Sequence, residues 1–213
     1  GASLCGSDMN RSRRYGPLHA LKMGRDIRAM IITPQNPGGA WNPRKINNIL
    51  EWVEDNYPMD DSRVYVLGMS LGGYGTMDFC GTYPEKIAAG MALCGGCSLK
   101  DVQGLGELPF WIIHGTGDRA VGVEQSKRVV LALQQADNDY MLRFDWLPGA
   151  SHGALARIFY LEKTYQWLFS HSLRDKKRRV NMAIDISNAD LKNAYGNMNR
   201  GKTGYEEVYE IIY

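Results

Sequence analysis

"VYVLGMSLGGYGTMDF", Val64 to Phe79, runs from a short apolar stretch straight into a serine set among glycines. Ser70 stands between Gly68 and Gly72, and Gly73 and Gly75 follow. A bland turn needs one or two glycines. This many around one hydroxyl point to a backbone bent too sharply for side chains. "RVYVLG", Arg63 to Gly68, is a continuous apolar run, as a parallel strand covered on both faces requires. The spacing predicts a helix from about Leu71 to Tyr83. G-x-S-x-G between strand and helix puts the serine on a strained turn with its hydroxyl raised above a sheet. The helix N-terminus then aims backbone N–H groups at developing negative charge. A serine N-cap after a glycine turn is the plainer alternative.

Outward from this stretch the chain alternates between strands and helices. Upstream, "DIRAMIITP", Asp26 to Pro34, holds a β-branched apolar run read as a strand over Ile27 to Ile32, followed by the loop "QNPGGAWNP". Pro43 to Tyr57 carries Ile46, Ile49, Leu50 and Val53 at helical spacing, with Pro43 suited to a first helical turn. Downstream, strands are expected at Ile87 to Cys94, Pro109 to Gly115 and Tyr140 to Pro148. Helices are expected over Val123 to Gln135 and, without a break, Leu155 to Leu173. This pattern implies a mostly parallel sheet with helices on both faces, and ligands collect at the carboxyl ends of such strands.

Length and composition bound the rest. A chain of 213 residues suits one domain, and 44% hydrophobic with 23% charged residues is ordinary for a globular protein. The net charge of +2 points neither to nucleic acid nor to an anionic membrane, and no apolar run is long enough to span a bilayer. The basic run Arg174 to Arg179 reads as a solvated connector. Residues 1–172 are expected to form the catalytic domain and 173–213 a polar C-terminal extension, in which Ser187 could cap a short helix. Cys94 and Cys97 form C-G-G-C. A zinc site would want a second ligand pair, and Cys5 and Cys80 stand apart, so the thiols read as structural or incidental. The chain opens without an initiator Met. A signal peptide in a longer precursor would make the protein secreted or periplasmic; otherwise it would be cytoplasmic.

An activated serine needs a base and an orienting acid. The four histidines are His19, His114, His152 and His171. The chain order serine, acid, histidine selects His152, in "LPGASHGAL" after the last strand. His114 ends a strand and reads as packing or bonding locally, His171 as a surface residue near a helix end, and His19 precedes the serine. Asp118, just past the strand Phe110 to His114, is the best-placed acid. Asp101, Asp137, Asp139 and Asp145 are its rivals, and an Asx-turn in a glycine-rich loop is its plain reading.

Three separated segments, "GMSLGGYGTMDFCGTYPEKIAAGMALCGG", "PFWIIHGTGDRAVGVEQSKRVVLAL" and "LPGASHG", resemble the α/β-hydrolase superfamily. More narrowly, they resemble its phospholipase/carboxylesterase and feruloyl-esterase-like branch, related to the catalytic domain of prolyl oligopeptidases. The resemblance covers roughly Gly1 to Phe169. It implies Ser70 as nucleophile, Asp118 as acid, His152 as base and the Leu71 N–H as half of an oxyanion hole. "GASLCG" looks like the family's other oxyanion loop with its histidine missing, making Ala2 the second donor and Ser3 the reserve. Gln35 and Trp41 in "PQNPGGAW" look like substrate contacts to an acyl or sugar group. The strands that the family places ahead of this loop are not in this sequence, so the expected sheet is N-terminally truncated. No long lid insertion occurs between Cys97 and Pro109, which argues against a lipase needing an interface.

The implied activity is hydrolysis of carboxylic esters, short acyl, acetyl or feruloyl, on a small molecule or a carbohydrate. No metal or cofactor is required, and a homo-oligomer is left open. The alternatives are a peptidase of the prolyl oligopeptidase type and a non-catalytic binding protein that keeps the fold.

Overall fold

The computed structural model of the protein describes residues 2–196 and Met198. Gly1 and the end of the expected C-terminal extension lie outside the described residues. The apolar runs become four strands, β1 (Tyr65–Met69), β2 (Ala89–Leu93), β3 (Phe110–Gly115) and β4 (Leu142–Leu147), side by side in that order and all parallel. Every residue of β2 and β3 is buried, which explains why both read as unbroken apolar runs rather than alternating ones.

Side chains along β3 alternate between two cores. Phe110 and Ile112 point to one face, where α3 (Leu71–Thr82) contributes Met77 and α4 (Glu124–Gln135) contributes Leu133. Trp111 and Ile113 point to the other, against α6 (Glu162–Phe169) and the turn before it. There Trp111 and Trp167 are fully buried with ring centroids 5.1 Å apart, and the Arg143 guanidinium lies 3.8 Å over the Trp111 ring. After α1 (Pro17–Lys22), α2 (Pro43–Asn56) starts where the sequence places it: Asn42 Oδ1 accepts from the Arg44 and Lys45 N–H groups, and Pro43 needs no partner.

Two expectations fail. Residues 25–37 form no strand: Met30 and Ile32 are 51% and 46% exposed. An extended segment needs a neighbour to take its N–H and C=O groups, and among the described residues β1 is paired only on its β2 side. Between the two lies a cavity of about 300 Å³, lined by Val64 to Met69 on one side and Ile32 to Asn36 on the other. The helix expected over Leu155 to Leu173 is broken. α5 (His152–Leu155) runs into a 3₁₀ turn (Ala156–Tyr160), Leu161 is extended, and α6 ends at Phe169. Thr164 and Tyr165 donate their hydroxyls to the Ile158 and Phe159 carbonyls, taking acceptors a continuous helix would use.

Beyond Ser172 the chain is polar in composition yet anchored. Ile186, Leu191 and Ala194 join the Trp167 core. α7 (Asn188–Lys192) has the Ser187 cap read from the sequence, reciprocated by the Asp190 carboxylate, which accepts from the Ser187 N–H. The basic run is only partly solvated. Arg174 is exposed beside Asp60 and Asp61, whereas Arg178 donates to the Ile87 and Ala88 carbonyls.

Candidate active site

Ser70 joins β1 to α3 with φ 59° and ψ −122°, a left-handed conformation that a side chain rarely adopts. The turn is this tight because two glycines permit it. A Cβ on Gly68 would run into the Gly72 carbonyl, and one on Gly73 would meet the Leu93 carbonyl at 2.6 Å. Gly72 itself faces open space, and Gly75 faces the Trp41 ring rather than the sheet. The Ser70 N–H donates to the Leu93 carbonyl at 2.9 Å, which fixes the turn over the end of β2. The first helical residue after the turn is Leu71.

Asp118 sits in the loop after β3. Its Oδ1 accepts from the Ala120 and Val121 N–H groups, each at 2.9 Å, which is the Asx-turn the sequence offers as its plain reading. That turn uses one oxygen only. Oδ2 lies 2.7 Å from His152 Nδ1. The two loops are tied together by Gly117 N–H to the Ala150 carbonyl (3.1 Å) and Gly149 N–H to Thr116 Oγ1 (2.8 Å), so His152, the first residue of α5, arrives beside the acid. The Asp118 side chain is fully buried and that of His152 is 24% exposed. Burial pushes the Asp118 carboxyl up. The Val121 N–H, His152 and the Ala120 N–H outweigh it and hold the group below the usual carboxylate range.

The residue that sequence reasoning missed is Cys94. It follows β2 with φ 39° and is fully buried. One donor atom each from Cys94, Asp118 and His152 lie within 4.8 Å of one another. The Ser70 N–H bonds the carbonyl of Leu93, the residue before Cys94, so this strand end adjoins both the serine turn and the Asp118–His152 pair. Its place directly after a strand in a parallel sheet was the available signal. Burial pushes this thiol up to about 12, and Cys97 likewise; all four cysteines are free. Of the set that could hold a metal, His152 and Asp118 are already hydrogen-bonded to each other and the thiol keeps its proton.

The rival groups are engaged elsewhere. Asp145 accepts from Trp111 Nε1 (2.7 Å) and Arg143 Nε (2.9 Å), and Asp101 caps the Gln103 N–H. His19 bonds the Tyr160 hydroxyl, and His171 is buried against Trp167 rather than on the surface. Ala2 opens an exposed 3₁₀ turn (Ala2–Leu4). Gln35 lines the cavity with Trp41, and its amide donates to the Leu4 (2.7 Å) and Gly6 (2.9 Å) carbonyls, so that it holds the loop carrying Ala2.

No protein-family model matches the chain. Acetylxylan esterase A of Emericella nidulans is 39% identical over 81 residues, 37% of this chain and 26% of that protein. Acetylxylan esterase A of Aspergillus oryzae is 36% identical over 78 residues, 35% of this chain and 25% of its own length. The matched part thus spans about a quarter of these relatives. The fold matches the crystal structure of a thermostable esterase with a TM-score of 0.59 and 26% identity, over 66% of this chain and 43% of that one. With four parallel strands covered by helices on both faces, a serine turn leading from β1 into α3 and this shared architecture, the chain has the α/β-hydrolase fold.

Proposed function

We propose that the protein is a serine esterase acting on carboxylic esters through Ser70, His152 and Asp118. The observation that carries this reading is the strained Ser70 turn, fixed by its N–H on the Leu93 carbonyl next to Cys94, whose sulfur lies within 4.8 Å of the hydrogen-bonded His152–Asp118 pair. Holding Ser70 in the left-handed region costs on the order of 1–3 kcal/mol, and a turn with no chemical task has no reason to store it. Asp118 Oδ2 accepts the Nδ1 proton of His152, which leaves Nε2 free to take the serine proton. Ser70 then attacks the ester carbonyl. The Leu71 and Ala2 N–H groups receive the oxyanion, and His152 returns its proton to the leaving alcohol. Water, deprotonated by His152, adds to the acyl-enzyme and releases the acid.

The substrate class we favour is an acetyl or other short acyl ester on a carbohydrate. The acetylxylan esterases among the relatives support it. So does the Trp41 ring, half-buried on the cavity wall beside Gln35, where it offers an apolar plate to a sugar or acyl group. A fluorophosphonate probe tests the activated serine directly. Labelling of the folded protein at Ser70, lost on heat denaturation, is expected. An unlabelled, folded protein would leave only a fold without the activity. A panel of acetyl, butyryl and feruloyl esters then ranks the acyl group.

A further inference from the structure

His114 ends β3, is completely buried, and has no part in the triad. Its two ring nitrogens face different partners. Nδ1 lies 2.7 Å from Ser126 Oγ on α4, whose hydroxyl is also 2.8 Å from the Gly95 carbonyl. Nε2 lies 2.9 Å from the Val121 carbonyl and 3.4 Å from Asp118 Oδ2. The Ser126 hydroxyl has one proton, which it gives either to the Gly95 carbonyl or to Nδ1, so Nε2 decides the tautomer. Nε2 faces only acceptors and must carry a proton. Burial holds the ring below its usual pKa, so near neutral pH that single proton is the Nε2 one.

From this geometry we infer that His114 is a positioning residue for the acid, an inference that rests on the triad reading above. Its Nε2–H donates between the Val121 carbonyl and Asp118 Oδ2, the same oxygen that faces His152. The Asp118 carboxylate is then held by donors on both oxygens: Ala120 and Val121 N–H on Oδ1, His152 and His114 on Oδ2. An acid fixed from four sides cannot swing away when His152 becomes charged. Val121 adds a second link, because its N–H holds Oδ1 while its carbonyl orients the His114 ring. The titratable groups facing the ring are Asp118 and, beyond it, His152.

Two substitutions separate this role from simple packing. Asn at position 114 keeps polar atoms near Nδ1 and its Ser126 partner but cannot reach Asp118. Gln places an amide N–H near Nε2. His114→Gln is expected to lose less than about tenfold in kcat. His114→Asn should lose on the order of 10²-fold, with KM near the wild-type value, because the acid can drift by about 1 Å. The low-field proton resonance of the His152–Asp118 hydrogen bond should persist in the Gln variant and vanish in the Asn variant. The reverse order, Asn active and Gln impaired, would mean that the Ser126 bond alone matters and would overturn the proposal. Should neither variant fold, ¹⁵N spectra of the wild-type ring decide. A proton on Nε2 at neutral pH supports the assignment, and a bare Nε2 overturns it. These spectra do not depend on ester turnover, so loss of the triad reading would be seen separately, as activity persisting without Ser70.

Discussion

The two flanks of the Ser70 turn are built to different standards. On the β3–β4 side, both carboxylate oxygens of Asp118 have donors, the loops are laced by hydrogen bonds at 2.8–3.1 Å, and β2 and β3 are buried throughout. On the other side, β1 has no strand beside it among the described residues. A cavity of about 300 Å³ runs along it, and the apolar residues Met30 and Ile32 stand in solvent. The proposed acid and base are therefore held on several sides, whereas the proposed oxyanion loop is held by the Gly6 N–H to Asn36 carbonyl bond and by side-chain bonds of Gln35 to Leu4 and Gly6 and of Arg11 to the Cys5 carbonyl. In the proposed mechanism the site is more firmly built on the side that sets protonation than on the side that stabilises charge.

The largest effect tests the point where the two flanks meet. Ser70→Ala is expected to lower hydrolysis of a p-nitrophenyl short-chain ester by about 10⁴- to 10⁶-fold while leaving the thermal midpoint nearly unchanged. Ser70→Gly should be equally inactive yet more stable, by about 1 kcal/mol, because glycine relieves the positive φ. Turnover near wild type in either variant would remove Ser70 from the mechanism. A Gly variant no more stable than the Ala variant would show that the turn stores no strain.

A second test addresses the open flank. A version of the chain extended ahead of Gly1 by one strand length, about five or six residues of apolar β-formers, can lie along β1 and close the groove. It would pair with the uncovered edge and steady the loop that carries Ala2. Since a displacement of about 1 Å in a catalytic group can cost on the order of 10²-fold, turnover should rise by up to that factor. Self-association through the uncovered edge should fall, as seen by solution scattering. Equal turnover and equal monodispersity in the two versions would make the asymmetry irrelevant to catalysis.

The same asymmetry decided what could be read from the sequence. The turns that carry Ser70, Asp118 and His152 were legible because local chemistry dictates each: glycines at 68 and 73, an Asx-turn at 118, Gly149 with φ 67° ahead of His152. The run Ile27 to Ile32 has the composition of a strand, but strand formation depends on a partner that composition does not reveal. The break before α6 was hidden because Thr164 and Tyr165 hydroxyls, not a glycine or proline, interrupt the helix. The buried anchors of the tail, Ile186 and Leu191, were masked by the polar residues around them. His114 and Cys94 look like ordinary residues at strand ends until the sheet brings their neighbours together.

The smallest expected effect concerns acid sensitivity. His114 ends β3, His171 lies against Trp167 with its carbonyl bonded by Tyr65 of β1, and His19 bonds the Tyr160 hydroxyl. All three are held below the usual histidine pKa, first by burial; Lys22 adds to this for His19. A folded pKa below the unfolded value of about 6.5 contributes stability at higher pH, and that stability is lost as pH falls from about 6.5 through the folded value. The thermal midpoint should therefore be level near pH 7 to 8 and decline below about 6.5. His171 has a specific reason to matter. Its Nε2 accepts the Asn181 N–H at 3.1 Å, a bond that protonation abolishes, and Trp167 packs edge-on at 4.6 Å; Asp175 and Arg178 are the charges facing it. His171→Gln keeps an acceptor for Asn181 but removes the titration, so its stability should fall less steeply between pH 6.5 and 5, by at most about 1.4 kcal/mol per pH unit. His19→Gln should flatten the curve less, because His19 is only half-buried and its ring already bonds a hydroxyl. Equal flattening by the two variants would show that acid sensitivity does not follow how deeply the ring is buried.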